Sequence, residues 1–380
     1  MSFGKILTDT HPVWQDYRDQ FPVTKHSVYL NHAAVAPLSR RAADAMKNLA
    51  DDVLLHGSFH YAQWLDAYEG LRVAAAKLIG ADRSEIALVK NTSEGIATIA
   101  MGIDWRPGDR MVGFREEFPA NLLPWKRLQS RGVEVEWLSI HDPLDRIDEA
   151  CRGARLLAIS YVNYLSGHRV DLAAIGEICR RRECFYFVDA IQGMGAFPID
   201  VEAAGIDALA ADGHKWICGP EGCGLLYVRK SRQDEVDPVE FGWTNVADFN
   251  AYGAEIGELR PDAGRYEPGT LNTVGCFGLR AAIELLLEAG IGRIEPQVLS
   301  LANQIAAGVA ERGYEILGER TPATAAGIVS FRKLDLDARL IVRRLKDAGI
   351  QAAPRQGWVR TSPHFYLNSG DIEKLLAALP

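Results

Sequence analysis

The stretch ALAADGHKWICGPEGCGLLYV, residues 208–228, sets two apolar runs, ALAAD and GLLYV, on either side of GHKW and a glycine-rich connection. Lysine is seldom buried, so one placed between two apolar strand-like runs is a candidate for a depressed pKa and a nucleophilic amine. Alone, Lys215 reads equally as a lysine on a surface turn. Runs of the same kind recur upstream: EIALV (85–89), RMVGF (110–114), VEVEWL (133–138), RLLAISYV (155–162) and CFYFVDA (184–190). Helix-like stretches such as GIATIAMGI, PWKRLQSRG and LAAIGEICRRR lie between several of them. Fully apolar strands alternating with helices predict an α/β fold whose mainly parallel sheet is covered on both faces. Beyond the long helical segments GCFGLRAAIELLLEAG and RIEPQVLSLANQIAAGVAERG, short strands and helices alternate (GIVSF, ARLIVRRLKDAG, IQAAP, GWVRTS, DIEKLLAAL), which predicts a smaller α+β C-terminal domain.

The bulk composition narrows the function. The 380 residues are 48% hydrophobic and 24% charged, a balance that supports a substantial core. With 42 basic against 50 acidic residues the formal charge is −8, a field that repels polyanions and argues against a nucleic-acid partner. The cluster Arg180, Arg181, Arg182 ends an amphipathic stretch, where cations suit the helix dipole. No apolar run approaches the roughly 18 residues of a membrane helix, and the N-terminal MSFGKILTDTHPVW lacks a signal-peptide core. The expectation is a cytoplasmic protein with no membrane partner. Six cysteines form neither a CxxC pair nor a Cys/His set with metal spacing, so no metal site is expected. None of them lies beyond Cys276.

In an open parallel sheet ligands bind at the carboxyl ends of the strands, so chemistry is sought just after each apolar run. After EIALV comes KNTSEG, where Thr92 and Ser93 begin a helical stretch whose first amides and hydroxyls make an anion site; the plainer reading is an N-cap. After RMVGF, Phe118 stands at a strand end, where aromatics usually pack. After CFYF come Asp189 and Gln192, and a carboxylate directly behind a buried strand is costly unless paired. Asp212, His214 and Lys215 complete the set.

The ordered motifs NTSEG, EFPANLLPW, VDAIQG, ADGHKW with GPEG, and RYEPGT resemble those of class V aminotransferases, among the fold type I pyridoxal-phosphate enzymes. The resemblance runs from VYLNHAA to VRTSPHFYL and is nearest to the isopenicillin-N-epimerase-like and cysteine-desulfurase-like branches; EFPAN with VNYLSG is also similar to kynureninases. It implies a large cofactor domain (28–265) with a mainly parallel seven-stranded sheet. An N-terminal segment (1–27) would pack on the small domain, and a linker helix would lead into that α+β domain (266–380). The implied cofactor is pyridoxal 5'-phosphate, bound to Lys215 as a Schiff base, with Lys215 then moving protons at the substrate carbon. Asp189 would pair with the pyridine nitrogen, Gln192 would bond the phenolic oxygen, and Phe118 would take the place of a stacking histidine. Thr92, Ser93 and His214 would hold the phosphate, with Thr270 reaching it from the second subunit of a homodimer. Asp212 departs from the pattern, standing where desulfurases have a phosphate-binding serine, and is expected to bind backbone or water instead. Asn163 competes with Tyr164 for a cofactor-contacting position. Arg360 would grip the substrate carboxylate, and His32, with His56, His60, Tyr61, Trp64 and His364, would shape a side-chain pocket.

Cysteine desulfurases carry a persulfide-forming cysteine on a loop where this chain reads QAAPRQGWVR, so sulfur relay by that route is not expected. Transamination of an α-amino acid is placed first. β-Elimination, as in a C–S lyase, and epimerisation remain open, since all begin with one carbanion. A non-catalytic scaffold is countered by Lys215, Asp189 and Arg360. A nicotinamide oxidoreductase is countered by the absence of GxGxxG after an early strand.

Overall fold

In a computed structural model, described for residues 11–249 and 257–380, ALAAD, GLLYV and the five apolar runs upstream of them all form strands. In chain order the strands are β1 (Val28–Tyr29), β2 (Ile86–Val89), β3 (Arg110–Phe114), β4 (Glu134–Leu138), β5 (Leu156–Ser160), β6 (Phe185–Asp189), β7 (Ala208–Asp212), β8 (Gly224–Val228), β9 (Glu315–Ile316), β10 (Val329–Arg332), β11 (Ile350–Gln351), β12 (Ala353–Arg355) and β13 (Trp358–Thr361). The large sheet has seven strands in the order β2-β8-β7-β6-β5-β3-β4, parallel except for β8, which runs against both neighbours. Alternate residues feed two cores: Tyr186, Val188, Leu209 and Ala211 face one, and Phe185, Phe187, Ala208 and Ala210 the other. This double burial explains why the strands read as unbroken apolar runs.

The helix Thr92–Gly102 covers one face and lies so close to β7 that a Cβ on Gly95 would stand 2.7 Å from the Cβ of Ala210. On the other face the long helix Thr273–Ala289 packs against Arg40–His56 and Tyr61–Ile79. The arginine cluster ends the helix Leu172–Arg181 as expected and is partnered by acids, Arg180 by Glu177 and both Arg181 and Arg182 by Asp148.

The smaller C-terminal domain is built on an antiparallel sheet in the order β12-β13-β10-β9. Two long-range links tie the start of the chain to it. β1 pairs in parallel with β11, and Asn31 bridges to Ser362. Residues 1–10 of the expected N-terminal segment lie outside the described residues; beyond them Phe21 stacks on Tyr366 at 3.8 Å, and Arg18 makes a forked pair with Asp371. No helix among the described residues is long and apolar enough to cross a membrane.

Candidate active site

The carboxyl ends of β2, β5, β6 and β7 meet at one edge of the sheet, and the register sets Ser160 beside Asp189 and Asp212 beside Gly224. A cavity of about 290 Å³ opens there. Its wall includes Thr92, Ser93, Phe118, Asp189, Gln192, His214, Lys215 and Arg360, eight of the residues singled out by sequence.

Behind β2 the N-cap of the helix is Asn91, whose Oδ1 accepts from the Glu94 amide at 2.9 Å. Because Asn91 does the capping, Thr92 and Ser93 are free for another partner. Thr92 Oγ1 is buried and unbonded, at the positive end of the helix dipole. Across the cavity, His214 Nδ1 stands 2.9 Å from Asp212 Oδ2 but out of hydrogen-bond alignment, and Asp212 Oδ1 has no partner. Asp212 therefore faces His214 rather than the backbone.

Desolvation pushes the Lys215 ammonium down to about 8; Asp189 opposes this, whereas the cations Arg360 and Arg355 add to it. Burial raises Asp189 to about 6, against a hydrogen bond from the Ile191 amide and the nearby Lys215 charge. A lysine with an accessible free amine thus shares the cavity with a carboxylate held ready for a cationic partner. Lys215 Nζ lies 5.7 Å from the Phe118 ring centroid, and that ring meets Tyr164 edge-on. Phe118 is 47% exposed, an aromatic face open for a flat ligand. Gln192 is fixed at both ends: its amide donates to Ala33 O at 3.0 Å, and its oxygen accepts from Trp216 Nε1 at 2.9 Å. One amide N–H is left over.

The β12–β13 hairpin closes the cavity from the C-terminal side. Arg360 Nη1 donates to Tyr164 O at 2.8 Å, while its buried Nε is unpartnered. Arg355, which the sequence reading passed over, also lines the cavity. So does Tyr164, with its hydroxyl accepting from Gln356 at 2.8 Å. Asn163 does not line it; its side chain ties a turn instead, accepting from the Leu165 and Ser166 amides and donating to Glu116 O. Of the two residues, Tyr164 lines the cavity, whereas four bonds consume the asparagine locally.

Other expectations are not met within this chain. His32 is fully buried with both ring nitrogens engaged, Nδ1 at 2.7 Å from Ser362 O and Nε2 at 2.6 Å from the Tyr366 hydroxyl, and it is absent from the cavity wall. Burial holds it well below the ordinary histidine range, so it braces the Ala33–Val35 wall instead of contacting substrate. His364 is likewise spent, on Trp216 O and the Phe365 amide. His56, His60, Tyr61 and Trp64 also lie off the wall; His60 bonds Asp52. Thr270 is exposed on a separate depression with Lys90, Gly222 and Asn272. Two further features escaped the sequence reading. Glu117, buried behind Phe118, accepts from the Ser160 amide and hydroxyl, and desolvation pushes it up to about 7. The sulfurs of Cys151, Cys179 and Cys184 come within 4.8 Å of one another, although their spacing carries no metal signature.

The family model for Aminotransferase class-V matches residues 28–363. The chain belongs to this family. A probable cysteine desulfurase of Methanothermobacter thermautotrophicus is 32% identical, the match covering 95% of this chain and 96% of that protein. A cysteine desulfurase structure from Thermococcus onnurineus is 29% identical, with 96% of both chains covered and a TM-score of 0.87. The cystine C-S lyase C-DES, in complex with its reaction product cysteine persulfide, is 25% identical with 94% of this chain and 98% of that one covered, also at 0.87. The class-V protein is therefore a pyridoxal-phosphate-dependent enzyme, an aminotransferase or lyase. Its cavity suits that cofactor: Thr92 Oγ1, His214 Nδ1, Asp212 Oδ1 and Arg360 Nε are buried polar atoms without partners around one lysine. Buried groups of this kind are rarely left unpaired except where a ligand completes them.

Proposed function

We propose that this enzyme is a C–S lyase that eliminates sulfur from a cysteine-derived amino acid without a persulfide relay. One observation carries the choice. The stretch that bears the nucleophilic cysteine in desulfurases is here the tip of the β12–β13 hairpin, Arg355-Gln356-Gly357, and all six cysteines are buried away from the cavity. The desulfurase and cystine-lyase relatives favour breaking a C–S bond over the transamination that the sequence placed first.

In this reading Lys215 would hold the cofactor, and its free amine would take the α-proton of the substrate. Bound there, pyridoxal phosphate supplies an electron sink for the charge that develops at the α-carbon. Asp189 would keep a proton on the pyridine nitrogen, Gln192 would offer its remaining N–H to the phenolic oxygen, and Phe118 would pack on the ring. Thr92, Ser93 and His214 take the phosphate, and Arg360 the substrate carboxylate. The α-proton would go to Lys215, the sulfur would leave as a thiolate with the C–S electron pair, and water completes the balance to pyruvate, ammonia and a thiol, or a persulfide where the substrate is a disulfide such as cystine.

We also place the enzyme in the cytoplasm as a homodimer in which Thr270 serves the partner's phosphate. What supports the dimer is the exposure of Thr270 and of the apolar Leu54, Leu55 and Phe59, 80%, 73% and 83% accessible. The large and small domains are taken as 28–265 and 266–380, with β1 lent to the smaller one.

Purified protein incubated with cystine is expected to release pyruvate and ammonia in equal amounts. A keto acid that keeps its sulfur substituent would establish transamination instead. Lys215→Ala is expected to lose both turnover and the visible absorbance of the lysine-bound cofactor.

A further inference from the structure

Two arginines of one hairpin enter the cavity, and only one has a task. The β12–β13 register pairs Arg355 with Trp358 and Ala353 with Arg360. Side chains alternate along a strand, so Arg355 and Arg360 stand on the same face as diagonal neighbours, with Cβ atoms about 7–8 Å apart. The two-residue connection Gln356-Gly357 has positive φ at both positions, 47° and 83°, the backbone of a tight hairpin turn. Gln356 Nε2 anchors that turn to the Tyr164 hydroxyl at 2.8 Å. Arg355 is thereby held at the cavity mouth by a short, tethered turn.

The charges do not balance. Among the described residues, the lysine and arginine cations of the cavity wall are Lys215, Arg355 and Arg360, and its carboxylates are Asp189 and Asp212. Asp189 and Asp212 both favour the Lys215 ammonium, and Asp212 Oδ2 also lies 2.9 Å from His214 Nδ1. Arg360 meets a backbone carbonyl, and exposed Arg355 has no acidic partner within 4.0 Å among the described residues, yet each raises the cost of charge on its neighbours. Two like charges on diagonal positions of a sheet face repel, and an anion between or beside them relieves that repulsion. With Arg360 given to the α-carboxylate, one guanidinium remains over for the far end of the substrate.

We propose that Arg355 binds a second carboxylate, so that the substrate is a cysteine whose sulfur carries an arm ending in a carboxylate. This deepens the C–S lyase reading and rests on it. An arginine fork matches a carboxylate, and a site built around such a pair rejects analogues lacking it. It also explains why a charged residue occupies the hairpin tip above the leaving group. The sulfur would depart with its carboxylate arm held, and the arm's release frees the mouth for the next substrate.

The test uses two mixed disulfides of cysteine, one with mercaptoacetate and one with ethanethiol, which share the scissile bond and differ in the terminal carboxylate. The holoenzyme is expected to process the mercaptoacetate disulfide with a kcat/KM at least about tenfold higher, the range of a hydrogen-bonded charge pair. Arg355→Gln is expected to bring the ratio near one, mainly through KM, and Arg355→Lys to retain part of it. Equal kcat/KM for both disulfides in the wild type overturns the proposal while leaving the lyase reading intact. A binding measurement separates the two: by calorimetry glutarate should bind the holoenzyme about tenfold tighter than butyrate, and Arg355→Gln should erase the difference. Retention of that difference with no pyruvate from either disulfide would overturn the lyase reading and support the second carboxylate site. Loss of both preferences sinks the proposal outright.

Discussion

Capture of the cofactor should report the perturbed amine of Lys215 directly. With its pKa near 8, about a tenth of the protein carries the free amine at pH 7; an ordinary lysine near 10.5 would offer about one molecule in three thousand. The attacking species is thus enriched roughly 300-fold by the surroundings of the lysine, burial first among them. The rate at which apoprotein develops visible absorbance after mixing with pyridoxal phosphate should therefore rise with pH through an inflection near 8 and level off above it. Replacing neighbours should move the inflection with predictable sign. Arg360→Gln removes a cation that disfavours the ammonium, so the inflection rises. Asp189→Asn removes the carboxylate that favours it, so the inflection falls. An inflection above about pH 9.5, or both variants moving it in the same direction, would refute the assignment of Lys215 as a desolvated nucleophile.

Glu117 has its folded pKa raised to about 7 from 4.5, so the stability of its protonated form is present below 4.5 and lost as pH rises through 7. Denaturant titrations should show wild type losing stability relative to Glu117→Gln across that window. Glu267 is buried and takes a forked pair from Arg72 at 2.9 and 2.7 Å and the Leu88 amide at 2.8 Å. Arg72→Met strands that carboxylate and should cost about 3–5 kcal/mol in urea unfolding. Gly95→Ala drives a methyl against Ala210 and should cost about 1–3 kcal/mol by the same measurement, with weaker cofactor retention because Thr92 and Ser93 ride on that helix.

The sheet was legible because its strands are buried on both faces, which leaves seven apolar runs with little competing periodicity. The strand ends were legible for the same reason, since Asp189 and Lys215 interrupt apolar sequence where charge is expensive. Partnering was not legible. Nothing local distinguishes His32, which spends both nitrogens on residues more than 300 positions away, from a histidine that faces a ligand. Asn163 and Tyr164 are adjacent, and only the turn decides which of them is consumed by backbone amides. Arg355 was visible in QAAPRQGWVR, but its role depends on a register that sets it diagonal to Arg360. Cys151, Cys179 and Cys184 converge from separate elements, so their proximity leaves no trace in spacing.

The stitch between the two ends of the chain has a consequence for synthesis. Leu30 O accepts from the Ser362 amide, the Ala33 amide donates to Ser362 Oγ, and His32 reaches Ser362 O across 330 residues. The Ala33–Val35 wall lies directly behind that stitch. A nascent chain can therefore assemble the central sheet and present Lys215 well before it can close this wall or supply Arg360. The finished cavity waits for Arg360 and Ser362, so a protein truncated ahead of them would retain a reactive amine in an unfinished site.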